Sequence, residues 1–233
     1  MAPLRARPTA RLKLGVLISG RGSNLQALIE AAADPAYPAE IVLVISNRAG
    51  ANQTGAPGLA HAARAGIACR TLAGPSRAAF ASEADKALRQ SGAELVVLAG
   101  FMRILDTTFV ESWRDRLVNI HPSLLPAFPG LHPQRQALAA GVRFSGCTVH
   151  FVRPEVDSGP IIAQAVVPVH AEDDEAKLSA RILAAEHRLY PMAVRLCAEG
   201  RLSIEGDRVM IKGAVPPEIA LFNPSQALAS DGG

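Results

Sequence analysis

A chain of 233 residues, 49% hydrophobic and 19% charged, can bury a core as one large or two small domains, which excludes a disordered protein. A formal charge of +3 with 4% aromatic residues gives no nucleic-acid footprint, although it suits small anionic ligands. No apolar run approaches the roughly 20 residues that span a bilayer, and the basic start MAPLRARPTARLK lacks an apolar signal region. Cys69, Cys147 and Cys197 are odd in number and show no metal or redox spacing, so free, buried thiols in a reducing, cytoplasmic setting are expected.

Residues 13–19 (KLGVLIS) predict a short buried strand, and 23–33 an Ala/Leu-rich helix. Between them lies Gly20-Arg21-Gly22-Ser23-Asn24, with Ser23 a candidate cap. Residues 41–46 predict a second strand, 56–65 a helix stopped by Gly66, 68–72 a third strand and 77–90 a helix closed by Ser91-Gly92. Residues 95–99 form a fourth strand, apolar on both faces, followed by a short helix at 107–113 and a fifth strand at 117–121. Four prolines (Pro122, Pro126, Pro129, Pro133) then stiffen a loop. This alternation implies an α/β fold, a Rossmann-like parallel sheet covered by helices on both faces. After Gly141 the pattern changes. Residues 147–152 and 161–169 read as an antiparallel addition, 172–199 as a long helix interrupted near Tyr190-Pro191, and 202–204 with 209–211 as a hairpin about Gly206-Asp207. We expect a tail at 1–12 and one domain at 13–213, with a phosphate-binding half at 13–115 and a catalytic half at 116–213. Residues 214–233 would form a second tail, draped on the surface.

Strand 117–121 carries the strongest chemical signal. Asn119 and His121 are two residues apart, so they leave the same face of the sheet at its C-terminal end. An amide and an imidazole there make a donor pair for a developing oxyanion, and the imidazole can also move protons. The glycine loop, between a strand and a helix N-terminus, suits a phosphate, although a tight turn alone would use the same residues. A dinucleotide fingerprint fails, because Leu25 stands where the third glycine belongs and Ser46-Asn47-Arg48 offers no acidic residue. Asp157 precedes Gly159-Pro160 in a turn, too far along the chain for sequence alone to bring it to His121. Residues 101–105 (FMRIL) line either a slot for a flat heterocycle or the core. Glu186 and His187 form either a pocket carboxylate and its neighbour or a solvated pair.

Together SGRGSNLQALI, VVLAGFMRILDTTFV, NIHPSLLPAFPGLHPQRQAL, TVHFVRPEVDSGPII and EHRLYP resemble the phosphoribosylglycinamide formyltransferases of purine synthesis, over residues 14 to 202. The resemblance implies formyl transfer from 10-formyltetrahydrofolate to the amine of glycinamide ribonucleotide, with no metal and with small molecules as partners, as a monomer or homodimer. It places Asn119, His121 and Asp157 at the catalytic positions. Gly22, Ser23 and Asn24 would hold the phosphate, and Glu186 the glycinamide end. Arg77, Met102, Arg103, Ile104 and Leu105 would border the folate together with Asn119, with Val110 behind the pterin. Leu183 departs from the family's frequent polar phosphate contact, which leaves that role to the loop or to a basic group such as Arg21. A formyltetrahydrofolate hydrolase of the same fold is the alternative, expected to carry an extra N-terminal domain. A methionyl-tRNA formyltransferase would add a C-terminal RNA-binding barrel. A non-catalytic nucleotide- or NAD-binding module would explain the glycine loop alone.

Overall fold

Buried parallel strands need cover on both faces, and helices returning between strands supply it. A computed structural model describes residues 10–48, 55–74, 76–215, 217–218 and 220–224. Five parallel strands come first: β1 (Leu12–Ile18), β2 (Ala39–Ser46), β3 (Cys69–Thr71), β4 (Leu95–Leu98) and β5 (Leu117–His121). β6 (Phe144–Phe151) and β7 (Ile161–Pro168) extend them antiparallel, giving the order β3-β2-β1-β4-β5-β6-β7. The helices are α1 (Ser23–Ala33), α2 (Leu59–Arg64), α3 (Arg77–Gln90), α4 (Thr107–Ser112), α5 (Pro133–Ala139) and α6 (Glu175–Ala198). β8 (Leu202–Glu205) and β9 (Arg208–Ile211) form the separate hairpin that the Gly206-Asp207 turn predicts.

The period-two alternation of the strands divides the core. Val16, Ile18, Leu95 and Val97 face α1, α2 and α6, where they meet Leu25, Leu28, Leu59 and Ile182. Leu17, Val96 and Leu98 face the other way, against Phe80 and Leu88 of α3 and Phe109 and Val110 of α4. The expected α/β sheet with its antiparallel addition and long C-terminal helix is therefore the observed one.

Four expectations need correction. α6 is not interrupted at Pro191 but runs unbroken from Glu175 to Ala198. A helical proline removes one ladder bond and ordinarily costs about 3 kcal/mol. Here Leu189, Tyr190, Ala193 and Val194 are buried around it, and the Tyr37 hydroxyl donates to the Pro191 carbonyl at 2.8 Å. The Tyr190 hydroxyl also faces the Leu98 and Val118 carbonyls at 2.9 and 3.2 Å, which staples α6 to β4 and β5. Second, α2 starts at Leu59 rather than 56, because the Gly58 N–H donates to the Gly20 carbonyl at 3.0 Å. Third, α5 occupies what reads as a proline-stiffened loop; Pro133 sits in its first turn, where no N–H is needed. Finally, Cys147 and Cys197 are buried but Cys69 is exposed. The C-terminal segment crosses the ends of the antiparallel pair at Asn223, whose side-chain amide donates to the Arg143 and Val169 carbonyls. Residues 1–9 of the expected N-terminal tail and 216, 219 and 225–233 of the C-terminal one lie outside the described residues.

Candidate active site

The strand order reverses between β1 and β4, so the connections leaving their C-terminal ends diverge and open a crevice. A cleft of about 380 Å³ fills it, lined by Ser19 to Asn24 after β1, Arg48 after β2 and Ala99, Gly100 and Met102 after β4. Ile120 and Pro122 close the β5 side with Gln134 of α5, and Ser179, Ile182, Leu183 and Glu186 of α6 form the opposite wall. Ser19 ties the rim together: its hydroxyl donates to Asn47 Oδ1 at 2.6 Å and accepts from the Met102 N–H at 2.7 Å.

The glycine loop owes its path to close backbone contact. Gly22 has φ +77, and a Cβ there would lie 2.7 Å from the Gly58 Cα, so only glycine fits. Gly22 is itself the cap residue of α1 and Ser23 is the first helical residue, so the expectation that Ser23 caps the helix is not met. No side chain caps α1, and Gly22, Ser23 and Asn24 line the cleft, which sets the positive end of the helix dipole beside it. Asn24 and Glu186 meet behind them. The Asn24 amide donates to Glu186 Oε2 at 2.7 Å, and both residues are buried. Burial pushes the Glu186 carboxyl up to about 7, against the opposing pull of that hydrogen bond. Asn24 Oδ1 is buried without a partner among the described residues, and both residues line the cleft.

On the other side of Ile120, the structure brings Asn119, His121 and Asp157 together. His121 Nδ1 lies 3.3 Å from Asp157 Oδ2, and its Nε2 lies 3.0 Å from the Phe128 carbonyl. Both neighbours accept hydrogen bonds, so the ring satisfies both only when both nitrogens carry protons. Asp157 is held in turn by the Gly130 N–H at 2.8 Å. Phe128 and Asp157 both adopt left-handed backbone, with φ 56 and 54. For Phe128 this is a strained conformation, and it is the one that aims the carbonyl at the imidazole. These three side chains do not themselves line the cleft, which reaches β5 through Ile120 and Pro122, the neighbours of His121.

Sequence reasoning missed His150. The β5–β6 register sets it opposite Asn119, whose amide Nδ2 lies 3.3 Å from His150 Nε2. His150 Nδ1 lies 3.0 Å from the Phe151 carbonyl and donates to it, so the neutral ring presents Nε2 as the acceptor that fixes the orientation of Asn119. Burial holds the His150 pKa below its ordinary value, favouring that neutral form despite Asp157 Oδ1 at 3.9 Å. Only the antiparallel register identifies this residue, and sequence does not supply the register.

The residues expected along the folate divide into two groups. Met102, which lines the cleft, and Ile104 are exposed at 71% and 53%, apolar surface without cover. Arg103 stacks on Phe80, 5.2 Å from its ring centroid, and donates to the Gly74 carbonyl. Arg77 is exposed in the first turn of α3. Leu105 packs against the core cluster on the α3–α4 face, and Val110 is buried within it. Among the described residues, no group of three or more His, Cys, Asp or Glu is placed to hold a metal ion. No described helix is long and apolar enough to cross a membrane.

A model of the formyl transferase family matches residues 12–194. The chain belongs to that family. It is 44% identical over 211 residues to the phosphoribosylglycinamide formyltransferase of Escherichia coli (strain K12), covering 89% of this chain and 97% of that one. It is 53% identical over 197 residues to the trifunctional purine biosynthetic protein adenosine-3 of Drosophila pseudoobscura pseudoobscura, covering 82% of this chain. The chain spans only 14 to 19% of the length of such trifunctional relatives. Among solved structures, glycinamide ribonucleotide transformylase 1 from Symbiobacterium toebii superposes with a TM-score of 0.82 at 50% identity, covering 87% of this chain and 94% of that one.

Proposed function

We propose that the protein transfers the formyl group of 10-formyltetrahydrofolate to the amine of glycinamide ribonucleotide. The observation that carries this reading is a paired imidazole and carboxylate, His121 and Asp157 at 3.3 Å, beside an amide and separated by β4 alone from the strand that leads into an anion-ready helix terminus. The names of the Escherichia coli relative and of the Symbiobacterium toebii structure support it. The ribonucleotide phosphate sits on the Gly22-Ser23-Asn24 turn, and Glu186 with Asn24 takes the donors beyond it. The folate lies along Met102, Arg103, Ile104 and Leu105, with Arg77 towards its tail. Asn119 reaches both substrates, and Val110 supports this wall from the core. Residues 13–115 supply the phosphate half and 116–213 the reacting half of one domain, working in the cytoplasm.

The chemistry needs no protein nucleophile, because the attacking amine belongs to the substrate. Its nitrogen bonds to the formyl carbon, and the carbonyl oxygen becomes an oxyanion. Asn119 and the His121 imidazolium stabilise it, His121 exchanging the Phe128 carbonyl for the oxyanion; one such donor is worth about 2.7–4 kcal/mol. Asp157 holds the imidazolium and relays the proton released by the amine towards the folate nitrogen. The carbon–nitrogen bond to the folate then breaks, leaving formylated amine and tetrahydrofolate. Proton transfer by positioned groups adds roughly a hundred- to ten-thousandfold.

The test is a formyl-transfer assay followed by folate absorbance, with and without the ribonucleotide. Turnover should require the ribonucleotide; equal turnover without it identifies a hydrolase instead. His121→Ala and Asp157→Ala should each lower kcat by roughly a hundredfold or more while the purified variants stay folded. Near-native turnover in either would falsify the assignment of these residues.

A further inference from the structure

The cleft has an anion-ready floor and one wall that offers an anion no positive charge. α6 presents Ser179, Ile182, Leu183 and the Glu186 carboxyl there, so its one donor is a neutral hydroxyl and it brings no cation to the cleft. No basic residue of α6 lines the cleft, and three of them are engaged elsewhere. Arg181 holds Asp173 through both terminal nitrogens, at 2.6 and 2.9 Å. Lys177 donates to the Glu172 carbonyl at 3.0 Å, and Arg195 stacks on Tyr37 while facing Glu199. A dianionic group on the α1 terminus therefore has to find its counter-charge on the other wall.

Two cations line that wall, Arg21 and Arg48. Arg48 stands at the end of β2, its backbone N–H and carbonyl both tied to the Ser46 hydroxyl. Arg21 sits inside the turn itself, next to Gly22 and two residues before Ser23. Its side chain is exposed and makes no ion pair or hydrogen bond with the described residues. Arg21 also lines a second hollow on the outer face of α1, together with Gln26, Glu30, His61 and His187. It therefore stands between two open spaces and can turn to either. The nearby carboxyls do not compete for it: Glu30 accepts from Gln26 at 2.7 Å, and Glu186 from Asn24. Moving Arg21 to a ligand breaks no existing pair.

We infer that Arg21 is the phosphate clamp of this site, closing over the anion from the loop side, opposite an α6 wall that carries no cation. The inference rests on the proposed reaction and adds the residue that sets acceptor affinity. A guanidinium can meet a phosphate through two parallel N–H donors, so both the charge and the fork geometry matter. The clamp is a binding device: it touches the end of the substrate remote from the formyl carbon, so it acts on KM and not on kcat.

Steady-state kinetics on Arg21→Ala, Arg21→Lys and Arg48→Ala decides the matter, with ribonucleotide and folate varied in turn. Wild-type turnover with the ribonucleotide comes first, and its absence would remove the proposed reaction itself. Given that turnover, Arg21→Ala should raise KM for the ribonucleotide roughly tenfold to a hundredfold, as expected for one charge-assisted pair. Its kcat and folate KM should stay within about twofold. Arg21→Lys should recover part of the loss. With the unphosphorylated glycinamide riboside as acceptor, wild type and Arg21→Ala should become indistinguishable. Adding Leu183→Lys to Arg21→Ala should restore affinity from the opposite wall. An unchanged ribonucleotide KM in Arg21→Ala, the same loss with the riboside, or a larger loss in Arg48→Ala would each overturn the assignment.

Discussion

Asn119 and His121 show how far a single spacing carries. Two residues apart on a strand means one shared face, and that is how they stand. Their partners were legible to different degrees. The place of Asp157 beside His121 follows from the family resemblance and not from any local pattern. His150 could not be read at all, because it reaches Asn119 only through the antiparallel pairing of two strands. We expect His150 to act as a positioning residue, holding the Asn119 amide with its nitrogen turned towards β6. His150→Phe keeps an aromatic ring, somewhat larger than the imidazole, but removes the acceptor. One lost neutral hydrogen bond is worth about 0.5–1.5 kcal/mol, so kcat should fall about threefold to tenfold. Both KM values should change little. A variant with unchanged kcat, or one whose loss lies wholly in folate KM, would show that Asn119 orients itself without help.

Elements with their own stop signals were read best. α3 begins after Ser76, whose hydroxyl accepts from the Ala79 N–H at 3.1 Å, and it ends before Ser91-Gly92; its sequence-derived bounds are the observed ones. Where tertiary contacts set the bounds, sequence failed. Contact with the glycine loop delays α2, and burial of Tyr190 carries α6 through Pro191. The proline-rich stretch after β5 is the element on which the site depends most. A buried network behind it runs through Thr148, which donates to the Ser123 carbonyl at 2.7 Å and accepts from the Leu125 N–H at 3.0 Å. Gln164 donates to Thr148 and to the Leu125 carbonyl, at 3.0 and 2.8 Å. This stretch then delivers the Phe128 carbonyl to His121 and the Gly130 N–H to Asp157. Thr148→Val preserves shape while leaving buried partners unsatisfied, which should destabilise the fold by about 1–3 kcal/mol. Turnover should fall as well, because the loop that holds both reacting groups loosens. Thr148→Ser should restore both. Denaturant melts with parallel kinetics would tell; full activity in a destabilised Thr148→Val protein would separate the network from the site.

Across the molecule, two buried groups on opposite sides of Ile120 make stability depend on pH in opposite directions. Glu186 has a folded pKa raised by burial from the ordinary 4.5 to about 7. Between those values the folded state holds the extra proton, so the contribution of Glu186 is fully present below pH 4.5 and is lost as pH rises through 7. His150 has its folded pKa lowered from 6.5 by burial. There the unfolded state holds the extra proton, so stability is fully present above pH 6.5 and is lost as pH falls towards the folded value. The two slopes overlap below pH 6.5 and partly cancel there, which flattens the wild-type curve where each alone would tilt it. Glu186→Gln removes one of them. Its amide can accept from the Asn24 amide as the carboxyl does, and can also donate to the orphaned Asn24 Oδ1. The variant should match wild type near pH 4.5, gain on it through pH 7 and then hold a constant lead on the order of 3 kcal/mol. The same change should weaken ribonucleotide binding, because a neutral amide replaces the carboxyl facing the cleft. Urea melts at pH 4.5, 6 and 8 measure the difference. A lead independent of pH would mean that Glu186 does not titrate in this window, and a stabilised variant with unchanged ribonucleotide affinity would take the carboxyl out of the binding site.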